Sequence, residues 1–405
     1  MKKISLFKQS IYGIFDQFFS SLLIFGINYY FAAKSYLNEV GIFALVFASF
    51  GFAQVFQQAL LERPFLIKKN IFKIKIILKR ISIVIVVLFL SILYFYFVDT
   101  NSLPDSSLNP IFIIPWIILG IVHLLFILAR VYFYSLNKEK IAFLMSATST
   151  LSIFLLFLIG QNYIEKRVTI FMFLISIIKL ICILIFSSQY EKIDKSRLTE
   201  DSSKVQYLNL ILISLSIFLK SRFLIFYLAN FAFVLAGLYE ILRNILEIVL
   251  IPFRPISQTL LNRISENRNN FNLLPINYII FFFTLSSTVS IIFYNLLSKI
   301  YSLYKISFIE SDDINLNLTL IVFVSILIIP VNSSLLAYKY FVDELIVKIF
   351  PTIYLIIIVI FSSEIHDMSF FIKVICYSTI LEGVLSFLLL SYRKYLLNKK
   401  NRFKM

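Results

Sequence analysis

The chain has 405 residues, 60% of them hydrophobic and only 15% charged, with a mean hydropathy of +0.90 and a formal net charge of +16. An ordinary soluble domain is about 25% charged, so a chain this apolar lacks the polar surface to cover a core, and a soluble enzyme, a nucleic-acid binder and a secreted module are excluded. At about 20 residues per spanning helix, the apolar share allows on the order of twelve spans and little else.

The apolar runs predict spans at 11–33, 40–61, 81–98, 111–134, 141–160, 168–189, 205–230, 232–253, 274–297, 315–337, 345–361 and 370–391. Helices are forced, because lipid offers an open strand edge no partner, and the alternation of a membrane barrel is missing.

The start, Met1 to Ser35, superficially resembles a signal peptide ending at Ala32–Ala33. Asp16 interrupts the stretch and the stretch is too long, so it reads as a retained first span. That span carries Asp16, Gln17, Ser20, Ser21 and Asn28, mostly on one face. The second span carries Gln54, Gln58 and Glu62 at i, i+4 and i+8, with Gln57 beside them. Amides in hydrocarbon mark either a wet cavity wall or hydrogen bonds between helices.

A basic loop follows, with Arg63, Lys68, Lys69, Lys73, Lys75, Lys79 and Arg80. These are topology signals, and the segment from Lys68 to Arg80 also suits a basic amphipathic helix on anionic lipid. Span four holds His123 and, near its cytoplasmic end, Arg130; span six holds Lys179. A lone His in a helix is more often a packing residue than a proton carrier.

A polar loop at 190–204 divides six spans from six. It sets the expected organisation: a lobe at 1–190, a cytoplasmic linker at 191–204 and a second lobe at 205–405 with a basic tail. Weak self-similarity agrees, since span two opens Gly41-Ile-Phe and span eight opens Gly237-Leu-Tyr, and both end near Arg-Pro at 63–64 and 254–255.

Span seven places Asn209, Ser216 and Lys220 on one face and Arg222 about 160° from Lys220. One of the two cations is expected to face a cavity and the other to snorkel outward, with Lys220 inward. Span eight carries Glu240, Arg243 and Glu247, then Arg254. Arg243 falls about 15 Å deep, near the midplane. It either pairs with Glu247 at i+4 or binds a substrate anion. Span twelve carries Glu382, whose partner the sequence does not reveal.

Positive charge also gathers at the N-terminus, in the 190–204 loop and in the C-terminal tail, which includes Arg393, Lys394, Lys399, Lys400, Arg402 and Lys404. The opposite loops are acidic or mixed. Both termini are therefore expected in the cytoplasm. Cys182 and Cys376 lie inside apolar runs and read as buried small hydrophobes. No metal-ligand cluster or phosphate-binding glycine loop stands out, so no cofactor or metal is expected and ATP hydrolysis is not expected either.

The segments Gly13-Ile-Phe-Asp-Gln-Phe-Phe-Ser-Ser-Leu-Leu and Asn38-Glu-Val-Gly-Ile-Phe-Ala-Leu, with the Gln-rich second span, resemble the polysaccharide flippases. These are the O-antigen and capsule transporters of the multidrug/oligosaccharidyl-lipid/polysaccharide exporter superfamily. In the second half Lys220-Ser-Arg-Phe-Leu, then Ala236-Gly-Leu-Tyr-Glu, is similar to the start of that family's second half. The chain departs from the family pattern in its eight glycines and in having no acidic residue beside Arg222 in sequence.

The resemblance implies an all-α integral membrane protein of about twelve transmembrane helices, in two six-helix lobes around a central cavity lined chiefly by spans one, two, seven and eight. It implies a non-enzyme in a bacterial inner membrane that flips polyprenyl-pyrophosphate-linked oligosaccharide units by alternating access. Arg243, Lys220 and Arg222 are expected to bind the pyrophosphate. Gln54, Gln57, Gln58 and Asn28 are expected to bind sugar hydroxyls. Asp16, Glu240 and Glu247 are expected to couple transport to H+ or Na+. Membrane lipid and a polymerase of the same pathway are the other expected partners, and nucleic acid is not. The alternatives are a polysaccharide polymerase, a membrane acyltransferase supported by His123, and a small-drug exporter of the same fold.

Overall fold

The structure is a computed structural model that describes residues 11–19, 37–62, 74–99, 113–136, 138–164, 168–187, 204–229, 233–253, 276–304, 311–338, 340–362 and 367–402, with isolated residues between them. The described residues are helical and form helices at the places of the twelve expected spans, the first of them described as a continuous run only over 11–19. Helix α1 covers 11–19. Then come α2 (Leu37–Gln57), α3 (Ile74–Asp99), α4 (Ile113–Ser135), α5 (Glu139–Ile164) and α6 (Val168–Ser187). The second set is α7 (Lys204–Ala229), α8 (Phe233–Leu250), α9 (Ile276–Tyr304), α10 (Asp312–Ala337), α11 (Phe341–Ile360) and α12 (Met368–Arg402). Among the described residues, five helices (α4, α7, α9, α10 and α12) are both long and apolar enough to cross a membrane on length and composition alone.

The surface is inverted relative to a soluble protein. Leu78, Val86 and Leu90 on α3, and Phe281, Phe283 and Ile291 on α9, are all more than half exposed. Asp16, Glu240, Lys179 and Glu382 are buried. Apolar side chains outward and charges inward is the arrangement lipid requires. The chain is a multi-pass membrane protein.

Local chemistry explains several helix ends and bends. Ser311 caps α10, its hydroxyl accepting from the Ile314 N–H at 3.2 Å, and Asp312 and Asp313 sit in the first turn where the helix dipole favours them. Pro330 divides α10 into Asp312–Leu327 and Ile329–Ala337. Pro351 lies inside α11, and the Ser378 hydroxyl of α12 donates to its carbonyl at 2.8 Å.

The end of α2 widens into a π-turn, Gln58–Glu62. Such a turn brings residues five apart into register. Gln57 Nε2 accordingly donates to Glu62 Oε1 at 2.8 Å. The exposed carbonyls of the turn need donors. Arg80 of α3 supplies one, donating to the Leu60 carbonyl at 2.7 Å. Arg80 was expected as a loop charge ahead of span three. The helix instead begins at Ile74, and Arg80 is buried within it. Most of the rest of the basic loop lies outside the described residues.

Helices α2 to α6 pack as one set, with α2 on α3 and α4 on α6. Helices α7 to α12 pack as the other, with α11 on α7 and α12, and α10 on α9 and α12. The two sets meet where α2 packs on α7 and α8. Close approach there depends on small residues: a Cβ on Gly51 of α2 would stand 3.2 Å from the Phe218 ring of α7.

Candidate substrate cavity

A cavity of ≈ 490 Å³ lies between the two helix sets. Helices α1, α2, α7 and α8 contribute to its wall, as the sequence implied. Helices α4, α5 and α6 contribute as well, which the sequence did not anticipate. They bring His123, Arg130 and Tyr134, then Ser149 and Thr150, then Lys179.

The glutamine stripe of α2 divides. Gln54 and Gln58 line the cavity, four residues apart on one face. Gln57 does not: it is buried behind the wall on Glu62. A direct sugar contact by Gln57 is therefore replaced by a structural bond. Gln17 and Ser21 of the first span also line the cavity. Asn28 and Arg254 lie outside the described residues.

The α8 cluster is a network, not a single i, i+4 pair. Glu240 is buried and bridged by two arginines. Arg243 engages it through two bonds, Nη2 to Oε1 at 2.6 Å and Nε to Oε2 at 2.8 Å. Arg222 of α7 donates to Glu240 Oε2 at 3.1 Å. The Arg243–Glu247 contact is longer, at 3.4 Å. So Arg222 does have an acidic neighbour, supplied by α8 in space instead of by its own helix in sequence.

Neither cation of α7 snorkels. Arg222 lines the central cavity. Lys220 turns into a second pocket of ≈ 250 Å³ inside the C-terminal lobe. There its Nζ donates to Glu382 Oε2 at 2.6 Å, and Lys348 of α11 bonds the other carboxylate oxygen. The carboxylate of Glu382 on α12 is the partner that holds Lys220 inside the lobe. The two pockets share Ile217, Ser221, Arg243 and Glu247. The expected role of Lys220 on the central cavity is corrected accordingly.

Asp16 is fully buried behind the N-terminal wall. It accepts three hydrogen bonds from Arg130 at 2.5 to 3.2 Å, one from Tyr134 at 2.7 Å and one from Ser146 at 2.5 Å. This ties α1 to α4 and α5. His123 and Lys179, which had no identifiable partners in sequence, are partners of each other at 2.8 Å.

Sequence reasoning passed over Lys348, a lysine only three residues inside predicted span eleven, where its cost in lipid was the available signal. It also treated Arg393 as a free tail charge. Helix α12 runs on to Arg402, and Arg393 grips Asp343 of α11 through Nε at 2.5 Å and Nη2 at 2.8 Å, over the Tyr340 ring.

On the wall of the central cavity Arg130, Lys179, Arg222 and Arg243 stand against Glu62 and Glu247 among the described residues. Asp16 and Glu240 lie behind that wall, bonded to Arg130 and to the other two arginines. Two buried donors on the central cavity, Asn244 Nδ2 and Ser214 Oγ, have no hydrogen-bond partner among the described residues. A cavity wall with four cations and unmet donors suits an anionic, polar ligand. Among the described residues there is no cluster of three or more His, Cys, Asp or Glu that could hold a metal.

No family model matches the sequence, and no curated protein does. Solved structures do match over nearly the whole chain. A MATE in complex with MaL6 superposes with a TM-score of 0.65 at 11% identity, covering 98% of this chain and 97% of that one. The outward-facing conformation of a multidrug resistance MATE family transporter of the MOP superfamily gives 0.63 at 11%, covering 98% and 96%. The MATE multidrug transporter DinF-BH gives 0.61 at 14%, covering 96% and 95%. The chain therefore has the twelve-helix, two-lobe fold of the MATE transporters.

Proposed function

We propose that this chain is a flippase that moves polyprenyl-pyrophosphate-linked oligosaccharide units across a bacterial inner membrane. The observation that carries this reading is the group of four cations, Arg130, Lys179, Arg222 and Arg243, on the wall of the cavity between the lobes. A diphosphate in a low-dielectric site needs such cations, because each pairing is stronger there than in water. Arg222 and Arg243 bind the pyrophosphate from one side of the cavity. Gln54 and Gln58, with Asn28 in the same role, bind sugar hydroxyls. The lipid tail stays in the bilayer, so only the headgroup crosses.

The working parts are a lobe at 1–190, a linker at 191–204 and a lobe at 205–405, with both termini in the cytoplasm. The lobes rock about the cavity in alternating access. Asp16, Glu240 and Glu247 carry the coupling to an H+ or Na+ gradient, and a polymerase of the same pathway takes the product. The chain itself transports and makes no covalent change.

The fold supports a second reading, a multidrug exporter, since the solved relatives are multidrug transporters. The charge favours the first, because a small-drug exporter is expected to have a more apolar cavity with fewer cations.

Deleting the gene and analysing lipid-linked sugars by mass spectrometry tests the proposal. Complete single units accumulating on carrier lipid, with no surface polymer, are expected. Single units reaching the surface unpolymerised would make the chain a polymerase. Normal polymer lacking one acyl group would make it a modifying enzyme. Unchanged polysaccharide with new drug sensitivity would make it a drug exporter.

A further inference from the structure

On the N-terminal side of the cavity, Lys179 Nζ of α6 and His123 Nδ1 of α4 are 2.8 Å apart, and both residues line the wall. Among the described residues, Lys179 has no carboxylate within ion-pair distance. Its other close partner is the Phe126 ring, with Nζ 5.4 Å from the centroid. An ammonium has three donors and no lone pair. A charged Lys179 therefore needs His123 Nδ1 as acceptor, which makes the ring neutral with its proton on Nε2. Charging both groups would break the bond and set like charges side by side in low dielectric. The pair alone carries one positive charge.

The carboxylates on the same cavity wall among the described residues are Glu62 and Glu247. On α4, Arg130 is committed to Asp16 of α1, as is Tyr134. On α6, Cys182 is buried three residues from Lys179. Helix α2 ends in Glu62, bonded by Gln57, and Arg80 of α3 caps the Leu60 carbonyl. Helix α5 brings only the hydroxyls of Ser149 and Thr150 to the cavity. Across the space stand Arg222, Arg243 and Glu247.

We propose that Lys179 and His123 form a proton-linked anion site, an inference that rests on the anionic-headgroup reading above. The Lys179 ammonium turns from His123 onto an entering phosphoryl group, which accepts its hydrogen bonds. His123 Nδ1, left without its donor, takes a proton from bulk water. The new Nδ1–H then also donates to the anion. One N–H bond forms on the ring, no bond of the ligand breaks, and release of the anion returns the proton. Anion loading and proton uptake are linked at this wall, apart from the carboxylates.

Calorimetric titration of the purified full-length protein in nanodiscs with inorganic pyrophosphate tests this, run in two buffers of different ionisation enthalpy. The wild type is expected to take up about one proton more per bound pyrophosphate than His123→Gln. His123→Gln should still bind, whereas Lys179→Met should bind about tenfold more weakly or worse, as loss of a charge-assisted bond implies. Equal proton counts in wild type and His123→Gln, or unchanged affinity in Lys179→Met, would overturn the site and leave the flippase reading standing. No pyrophosphate binding by the wild type would overturn both. Should His123→Gln not fold, the wild-type proton count decides: no proton uptake on binding pyrophosphate would overturn the site.

Discussion

Lys220 and Glu382 stand 162 positions apart in sequence and 2.6 Å apart in space. Their bond ties α7 to α12, and Lys348 brings α11 onto the same carboxylate. Glu382→Gln would leave two lysines facing each other inside the lobe. Removing one side of a buried ion pair costs about 3–5 kcal/mol. The unfolding midpoint in detergent should fall markedly for Glu382→Gln. Lys348→Met should lower it less, because Lys220 keeps the carboxylate paired.

Asp16 gathers Arg130, Tyr134 and Ser146 around one buried carboxylate. Asp16→Ala strands the Arg130 charge and should cost about 3–5 kcal/mol. Arg130→Met in the same chain should recover part of that loss, since the stranded charge is then gone. Thermal unfolding of the two single variants and the double variant measures the coupling. Additive losses would mean the pair contributes nothing as a pair.

Gly120 of α4 lies where a Cβ would come within 2.9 Å of both Leu88 of α3 and Phe50 of α2. Both neighbours are buried. Gly120→Ala gains roughly 1 kcal/mol of helix propensity to set against the crowding. Gly120→Leu has far more volume to place, and overpacking typically costs about 1–3 kcal/mol. The midpoint should therefore change little for alanine and drop for leucine.

The α2 amides should separate into two classes. Gln54→Ala and Gln58→Ala remove cavity-wall groups, so transport of the sugar-bearing substrate should fall while stability holds. Gln57→Ala removes one hydrogen bond to the buried Glu62 carboxylate. A buried hydrogen bond contributes about 1 kcal/mol, and more when one partner is charged. Its effect should appear first in stability. Transport rates beside unfolding midpoints for the three variants read this directly.

Much of this was legible in the sequence. Long apolar runs fix span number because length in a bilayer is a hard constraint. The Gln54–Gln58 stripe and the Glu240–Arg243–Glu247 spacing were visible because helical periodicity is local. What could not be read were contacts between helices. Glu240 as the partner of Arg222, Glu382 as the partner of Lys220, and His123 as the partner of Lys179 join helices whose neighbours only the tertiary fold decides. The fate of Lys220 shows the limit most clearly. Periodicity turned it inward correctly but could not tell the central cavity from the pocket beside it.

The most direct test of the account is a headgroup-accessibility assay in sealed vesicles. Purified wild type or Arg243→Ala would be reconstituted with a labelled polyprenyl-pyrophosphate oligosaccharide, and its appearance at the opposite face read with a membrane-impermeant reagent. The wild type should move the headgroup far faster than protein-free vesicles, and Arg243→Ala should not, while inserting equally well. Arg243→Ala vesicles working at the wild-type rate would contradict the cationic-cavity account and return Arg243 to a purely structural pairing with Glu240.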